Sequence, residues 1–362
     1  MAICLLDGVF DGCEGEAGSL EHIIPNAIGG RLSSNKLICR NCNSKSGNRW
    51  DAVLCNQFSS LCVFFGITRE RGDVPNLLLK NKDGQQNVIS PDGRFQPRKP
   101  EFSEQDINEN EIKITVKSNN PKEAKKIIKS LCSKNKYKAD ISSIEYKETL
   151  CAKDGLDTTF SFDLAGAEVG RSIAKMMYLY SIEVGLEKDT AQNIYDYLSV
   201  SNAPQCFGPY YDEDIVVDRS DNIPTHIVSL CAKNNKVIGY VELFGLFKYI
   251  FNISDTYTNA ELCESYCLDP VSGRELDVII DYEKIEKEVK EYLAPDRTTF
   301  LKSEKWVDEK MPIFMSPWLN KNKERTLKLI QEEVLAEISS LEFLTEEDLE
   351  SAIEAVMDKK FT

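Results

Sequence analysis

The alternation of apolar and polar residues changes its period several times along the chain, and each change predicts an element. Residues 111–117 alternate as in a half-buried strand, and residues 121–133 follow with a helical period that opens on a proline. Residues 165–185 also have helical spacing, and residues 188–198 predict a second helix after a glycine break. The sequence therefore predicts a mixed α+β protein.

A β-hairpin is predicted further along. Two apolar runs, residues 227–232 and 237–244, flank the pair Asn234-Asn235, which suits the tight turn of a hairpin. Residues 247–253 predict a further strand. His226 begins this region, and we interpret it as structural.

The last part of the chain is helical and acidic beyond residue 281. We expect interruptions near Pro312 and Pro317, because proline removes a backbone donor from a helix, and a closing amphipathic helix over residues 321–339. Cys263 and Cys267 have a spacing that suits one face of a helix.

Charge divides the chain of 362 residues into unlike parts. Residues 1–140 hold 21 basic and 17 acidic side chains, whereas residues 141–362 hold 23 and 42, a net of +4 against −19. An acidic surface repels nucleic acid and would restrict its binding to the N-terminal part. Acidic residues that only keep a large domain soluble are an equally good interpretation.

Composition indicates the compartment. No run is apolar enough to span a bilayer, and Met1 leads into acidic residues and cysteines rather than a signal peptide. We therefore expect a cytoplasmic protein that does not bind membranes. In that compartment, the 12 cysteines favour thiols or metal ligands over a disulfide framework.

Residues 21–43 carry the chemistry. One of only two histidines, His22, follows Glu21, and Asn43 follows a Cys-x-x-Cys pair. Phosphodiester hydrolysis needs a base for water, and imidazole, with a pKa of about 6.5, suits that task. It also needs a hard cation such as Mg²⁺ or Mn²⁺, for which Glu21 and Asn43 offer oxygen ligands. These residues predict a hairpin with a distorted strand, turned at Gly29-Gly30, and a following helix that returns Asn43 to Glu21.

The cysteines predict a second metal. Cys39 and Cys42 have half of the usual structural zinc spacing, and Cys4 and Cys13 are the natural other half. Four thiolates would stabilise a small module with a thin core.

This segment resembles the HNH endonucleases of the His-Me finger group, over about residues 1–54. The resemblance implies a zinc-stabilised ββα-metal fold, His22 as general base, and Glu21 and Asn43 as ligands of a catalytic Mg²⁺ or Mn²⁺. It implies that Asn35 fixes the hairpin loop and orients the histidine, and that the four cysteines hold zinc. It also implies cleavage of DNA to 3′-hydroxyl and 5′-phosphate ends in a bacterial or phage setting, where antiviral defence against foreign DNA, restriction and a mobile element are the alternatives.

The expected organisation is a small zinc-stabilised ββα-metal (HNH) module at residues 1–66, a basic linker with a strand and a helix at 67–140, and an acidic α+β region at 141–362. That last region, with its helical C-terminus, would select substrate, respond to a signal, or bind a protein partner or a second copy of the chain. A catalytically inert nucleic-acid-binding module and a nuclease acting mainly on RNA remain alternatives.

Basic side chains near the module are candidates for phosphate contact, although a solvated surface explains them equally well. These are Lys45, Arg49, Arg69 and Arg71. Arg171 and Lys175 interrupt an otherwise apolar helix, and we interpret them as facing solvent.

Overall fold

The fold was obtained as a computed structural model that describes residues 2–80, 86–93, 95–108, 111–118, 121–135, 162–164, 166–285, 288–339 and 345–361. The chain forms two compact units. The first contains Met1–Pro75 and Ser161–Pro317, and the second contains Asn76–Phe160 and Trp318–Thr362. The predicted mixed α+β fold is confirmed, as is its helical C-terminus.

The N-terminal segment folds as two strands and a helix. Strand β1 (Ser19–His22) pairs antiparallel with β2 (Ser33–Ile38), and α1 (Arg40–Ser46) follows at once. The pairing register shifts between Ser19 and Glu21, which is the distorted strand that the sequence predicts. The predicted ββα arrangement is therefore present.

Helix α1 continues into a widened turn before two short helices. Residues Gly47–Asp51 form one π-helical turn, a geometry that is common at functional sites. Helices α2 (Ala52–Gln57) and α3 (Ser59–Phe64) follow, and α3 is buried along most of its length.

The part of the second unit that precedes residue 136 contains small antiparallel sheets and a helix. Its elements are β3 (Leu77–Lys80), β4 (Gln86–Ile89), β5 (Phe95–Pro97), β6 (Glu101–Asn108), β7 (Glu111–Lys117) and α4 (Pro121–Asn135). Strands β3, β4 and β5 form one sheet, and β6 pairs with β7. The predicted strand at 111–117 and the helix that opens at Pro121 are confirmed.

A six-stranded antiparallel sheet with two helices completes the first unit. The helices are α5 (Ala167–Glu183) and α6 (Gln192–Ser199). The strands are β8 (Phe207–Pro209), β9 (Val216–Val217), β10 (His226–Lys233), β11 (Lys236–Leu243), β12 (Phe247–Ser254), β13 (Leu262–Asp269), β14 (Arg274–Glu275) and β15 (Ile279–Ile280). The sheet order is β14-β13-β10-β11-β12-β8, and β15 pairs separately with β9.

The hairpin between β10 and β11 is the predicted one. Asn234 and Asn235 have φ angles of 54° and 62°, a left-handed conformation that asparagine tolerates in a two-residue turn. At Gly239 on β11, a Cβ atom would lie 2.7 Å from the Met177 sulfur of α5. The missing side chain therefore lets α5 pack closely on the sheet.

The C-terminal helices differ from the prediction. Helix α7 runs from Arg297 to Ile338 through both Pro312 and Pro317, and α8 spans Glu346–Phe361. Side chains on both sides of Pro312 anchor the helix in the first unit: Trp306 donates to the Gly245 carbonyl at 2.8 Å, and the Phe314 ring lies 5.7 Å from that of Phe65. Tertiary contacts thus outweigh the lost backbone bond. Among the described helices, none has the length and hydropathy needed to cross a membrane.

Cys263 and Cys267 lie on strand β13 rather than on one face of a helix, and Cys267 is buried in the packing of the sheet. Cys263 is paired in register with Cys231 of β10, and the two form a disulfide. Directly opposed strand positions bring the two Cβ atoms close enough for this bond.

Candidate active site and metal centre

A compact loop joins β1 to β2 and forms one wall of the site. Its ends are closed by the Ile23 N–H, which donates to the Leu32 carbonyl at 2.9 Å, and Asn26 donates through Nδ2 to the Gly30 carbonyl at 3.2 Å. A Cβ atom at Gly30 would lie 1.8 Å from the Ile24 carbonyl oxygen, so only glycine permits this fold of the loop.

A cleft of about 340 Å³ opens between this loop and the π-helical turn. It is lined by Glu21, His22, Pro25, Asn26, Ala27, Gly47, Asp51, Ala52 and Cys55. Glu21 and His22 both line the cleft, although consecutive residues of a regular strand face opposite sides, and His22 is the last residue of β1.

His22 is held by a carboxylate that the sequence did not indicate. Its Nε2 atom lies 2.8 Å from Oε2 of Glu70, with side-chain exposures of 14% and 42%. The imidazole lowers the pKa of the Glu70 carboxyl, so Glu70 is ionised and accepts the hydrogen bond. The contact assigns the proton of the neutral ring to Nε2 and leaves Nδ1 as a lone-pair acceptor.

Glu21 is paired with a buried lysine. The Lys175 ammonium, 0% exposed, lies 2.6 Å from Oε1 of Glu21 and also donates to Oδ2 of Asp51. Ser172, one turn earlier on α5, donates to the other Asp51 oxygen at 2.6 Å. The interpretation of Lys175 as solvent-facing was therefore wrong: α5 is buried almost all round, so a charge on it must be paired.

Electrostatics keep this lysine charged. Burial alone would lower the pKa of Lys175, but the charges of Asp51 and Glu21 outweigh burial and raise it above its ordinary value. Burial raises the pKa of the Glu21 carboxyl, and the Lys175 ammonium is the main opposing influence. The three side chains form one coupled cluster with a formal charge of −1.

Asn43 lies against the same strand. Its Nδ2 donates to Ser19 Oγ at 2.9 Å and to the Leu20 carbonyl at 3.0 Å, which pins α1 beside the residue that precedes Glu21. Asn35 is exposed on β2, and Asn26 supplies a side-chain hydrogen bond across the loop.

The donors at this position have the chemistry of a divalent metal site. Glu21 supplies carboxylate oxygens and Asn43 an amide oxygen, which are ligands that Mg²⁺ and Mn²⁺ accept. Asn43 is bonded to the carbonyl of Leu20, the residue before Glu21, although only Glu21 of the two lines the cleft. Asp51 adds a second carboxylate to the cleft wall. The residues therefore fit such an ion, with one Glu21 oxygen already bonded to Lys175.

The four predicted zinc ligands do come together. The Sγ atoms of Cys4, Cys13, Cys39 and Cys42 all lie within 4.8 Å of one another, and those of Cys13 and Cys39 are 3.9 Å apart. Sulfurs in a tetrahedral zinc site are about 3.8 Å apart, from a Zn–S distance of about 2.3 Å. The thiol cluster therefore could hold a structural zinc ion.

One of these thiols is prepared for metal binding by backbone groups. Burial alone would raise the pKa of Cys39, but N–H donors of Cys42 and Glu14 lower it to about 7. Cys39 caps the first turn of α1, where its sulfur accepts from the Cys42 N–H at 3.3 Å. Cys39 therefore both caps the start of α1 and belongs to the thiol cluster.

The candidate phosphate contacts divide into two groups. Lys45 donates to the Asp11 carbonyl, and Arg69 donates to the Asp73 carbonyl at 3.4 Å, so both cations are engaged by their own chain. Arg49 and Arg71 are exposed.

His226, the second histidine, supports the loop from behind. It is fully buried at the start of β10, where its Nε2 lies 2.9 Å from the Ile28 carbonyl and its Nδ1 accepts from the Phe244 N–H at 3.1 Å. The structural interpretation of His226 is confirmed by these two backbone contacts.

Sequence reasoning missed Glu70, Asp51 and Ser172. Glu70 lies in a polar segment and gives no periodic signal. Lys175 did give one: it is flanked by Ile173, Ala174, Met176 and Met177, all buried, and a charge in an apolar run predicts a buried partner.

Comparisons with curated proteins and with solved structures found no match to this chain. The family model described as HNH endonuclease matches residues 13–59, which include Glu21, His22, Asn43 and Asp51 but not Glu70 or Lys175. The resemblance seen in the sequence is thereby confirmed: residues 13–59 of this protein match the HNH endonuclease family.

Proposed function

We propose that this protein is an endonuclease that hydrolyses DNA phosphodiester bonds with the help of a divalent metal. The observation that carries the proposal is the position of His22, which lines an open cleft beside Glu21 with its Nε2 held by Glu70. His226, by contrast, has both ring nitrogens occupied by backbone groups and is fully buried, which leaves His22 as the base.

In this mechanism the residues of the chain have distinct tasks. His22 removes a proton from the attacking water through Nδ1, because Glu70 fixes the ring by its other nitrogen. Glu21 and Asn43 would hold Mg²⁺ or Mn²⁺, which when bound neutralises charge that develops on the phosphate. The thiol cluster would hold zinc and keep α1 and the hairpin in register.

DNA is the proposed substrate because the HNH family implies it, and defence against foreign DNA is the proposed setting on the same ground. Arg49 and Arg71 are the proposed phosphate contacts, since both are exposed, with Lys45 and Arg69 in second place because their own chain engages them.

The test is incubation of the full-length, zinc-loaded protein with supercoiled plasmid in Mg²⁺, in Mn²⁺ and in EDTA. We expect nicked and linear products that need metal and that His22→Ala does not give. A structured RNA, assayed in parallel, would show whether RNA is the better substrate. Absence of any cleavage, with binding retained, would contradict the proposal.

A second candidate is an inert zinc-stabilised module that binds nucleic acid without cutting it. The pairing of Glu21 with Lys175 favours this candidate, because the internal ammonium takes one oxygen of the expected metal ligand. The discriminating result is equal binding by wild type and His22→Ala with no products in any metal.

A further inference from the structure

The Lys175 ammonium sits in a set of oxygen ligands. It contacts carboxylate oxygens of Glu21 and Asp51, and Ser46 Oγ lies 3.5 Å away. Carboxylates and hydroxyls are also the donors that hard metal ions prefer in proteins. These oxygens therefore form a small cation site, which the Lys175 ammonium occupies.

Lys175 lies on helix α5, outside residues 13–59 that match the HNH family model. Lys175 belongs to α5, in which 12 residues are buried, and Ser172 fixes Asp51 from the same face of the helix. The ammonium therefore cannot leave Glu21 by a change of side-chain rotamer into solvent, because its own surroundings are closed. Its withdrawal requires movement of α5 or of the strand that carries Glu21.

A divalent ion on Glu21 would meet this ammonium at short range. Two cations on one carboxylate lie a few ångströms apart, and their repulsion is weakly screened where both are shielded from water. Ions from solvent reach Glu21 through the cleft, whereas Lys175 reaches it from the protein interior. The two cations approach one carboxylate from different sides.

We propose that Lys175 competes with the divalent metal for Glu21, so that the position of α5 sets the metal affinity of the HNH module. This inference rests on the proposed function, because it concerns the same metal ligand. It assigns to α5 the control of metal occupancy.

The experiment compares variants with equal local charge. In wild type, Glu21, Asp51 and Lys175 together carry a formal charge of −1. The double variant Lys175→Met with Asp51→Asn keeps only the charge of Glu21, so its formal charge is also −1. Mn²⁺ binding is measured by the loss of the free-ion electron paramagnetic resonance signal, on full-length zinc-loaded protein at pH 8. The same titration with Glu21→Gln added to each background isolates the part of the binding that depends on Glu21.

Two controls separate competition from general effects. Lys175→Arg keeps a cation on α5, and the pair Lys236→Met with Glu288→Gln removes an exposed ion pair of the same charge type. Thermal melting and zinc content show that each variant is folded.

Competition predicts that the charge-matched double variant binds Mn²⁺ on the order of tenfold tighter than wild type, with Lys175→Arg and the control pair unchanged. Equal or weaker binding by the double variant would overturn the proposal. Plasmid cleavage is recorded alongside. Tighter Mn²⁺ binding without cleavage by any variant would leave this inference standing and remove the proposed function. Metal-dependent cleavage by wild type, with no gain in Mn²⁺ affinity in the double variant, would support the proposed function and remove this inference.

A second measurement needs no change at Lys175. Competition predicts that Mn²⁺ increases the labelling of Lys175 by an amine-reactive acetylating reagent, read by mass spectrometry, in wild type but not in Glu21→Gln. Unchanged labelling at saturating Mn²⁺ would also overturn the proposal.

Discussion

His22 and Glu70 form a histidine–carboxylate pair, with Nε2 and Oε2 2.8 Å apart. His22 belongs to the matched HNH segment and Glu70 does not. The orientation of the proposed base therefore depends on the polar segment that follows α3, and a carboxylate in this position selects one tautomer of the ring.

Glu70→Gln should change that tautomer. We expect wild-type His22 to carry its proton mainly on Nε2 at pH 8.5, and the variant to show a larger share of the Nδ1 form, because an amide is a weaker acceptor than a carboxylate. The measurement is ¹⁵N NMR of histidine-labelled protein, which is simple to assign because the chain has two histidines. His226 serves as an internal reference.

Asp73→Asn, a neighbouring exposed carboxylate, is the matched control and should leave the spectrum unchanged. If cleavage is observed, Glu70→Gln should lower kcat by about tenfold with little change in KM, since Glu70 positions the base rather than the substrate. Identical tautomer ratios in wild type and Glu70→Gln would refute this role.

His22→Ala should abolish cleavage while zinc content and melting temperature stay close to wild type. General-base catalysis is typically worth about 10²-fold or more, and His22 is the one histidine exposed to the cleft. A plasmid-nicking time course checks this. A variant that keeps more than about a tenth of the wild-type rate would show that another group is the base.

Cys39→Ser or Cys42→Ser should remove zinc and unfold the hairpin and α1, because both thiols are fully buried and a structural zinc contributes folding energy directly. Cys13, which is partly exposed, should be the most tolerant position. Elemental analysis and near-UV circular dichroism provide the measurements. Folded, zinc-free Cys39→Ser protein would contradict the assignment.

His226 should make stability depend on pH. Burial lowers its pKa to about 4, although the Ile28 carbonyl and the charges of Glu242 and Asp269 oppose that shift. The unfolded chain takes up a proton near pH 6.5 and the folded protein only near pH 4, so folding free energy is lost as pH falls through this window. The loss approaches about 3 kcal/mol and does not grow below pH 4.

The comparison is with His226→Gln, whose amide can make both backbone hydrogen bonds without titrating. Urea unfolding from pH 8 to 4 should show the difference between the two proteins changing by that amount in favour of the variant. A difference that stays constant with pH would exclude His226 as the source.

The β10–β11 hairpin and the HNH motif could be predicted because their signals are local. Asn234-Asn235 specifies its turn wherever it occurs, and the motif from Glu21 to Asn43 lies within two dozen residues. The continuity of α7 through Pro312 could not be predicted in this way, because contacts with Gly245 and Phe65 decide it.

The surroundings of the site depend on long-range contacts. Asp51 and Lys175 are 124 residues apart in sequence, and His22 and Glu70 are 48 apart. Neither pair has a spacing that a pattern of residues could reveal. The sequence of the module predicts which side chains carry the chemistry, whereas the fold of the first unit determines what they are bonded to.

Aromatic packing ties the end of the matched segment to the six-stranded sheet, which limits how far the segment can be separated from it. Phe58, at the end of the matched segment, completes its packing against Phe244 and Phe247, at 5.2 and 5.0 Å between ring centroids. Residues 13–59 without the rest of the first unit would therefore expose the Phe58 ring and leave Glu21 without Lys175. A transplant of this segment into another protein would have to carry α5 and the β11–β12 turn with it.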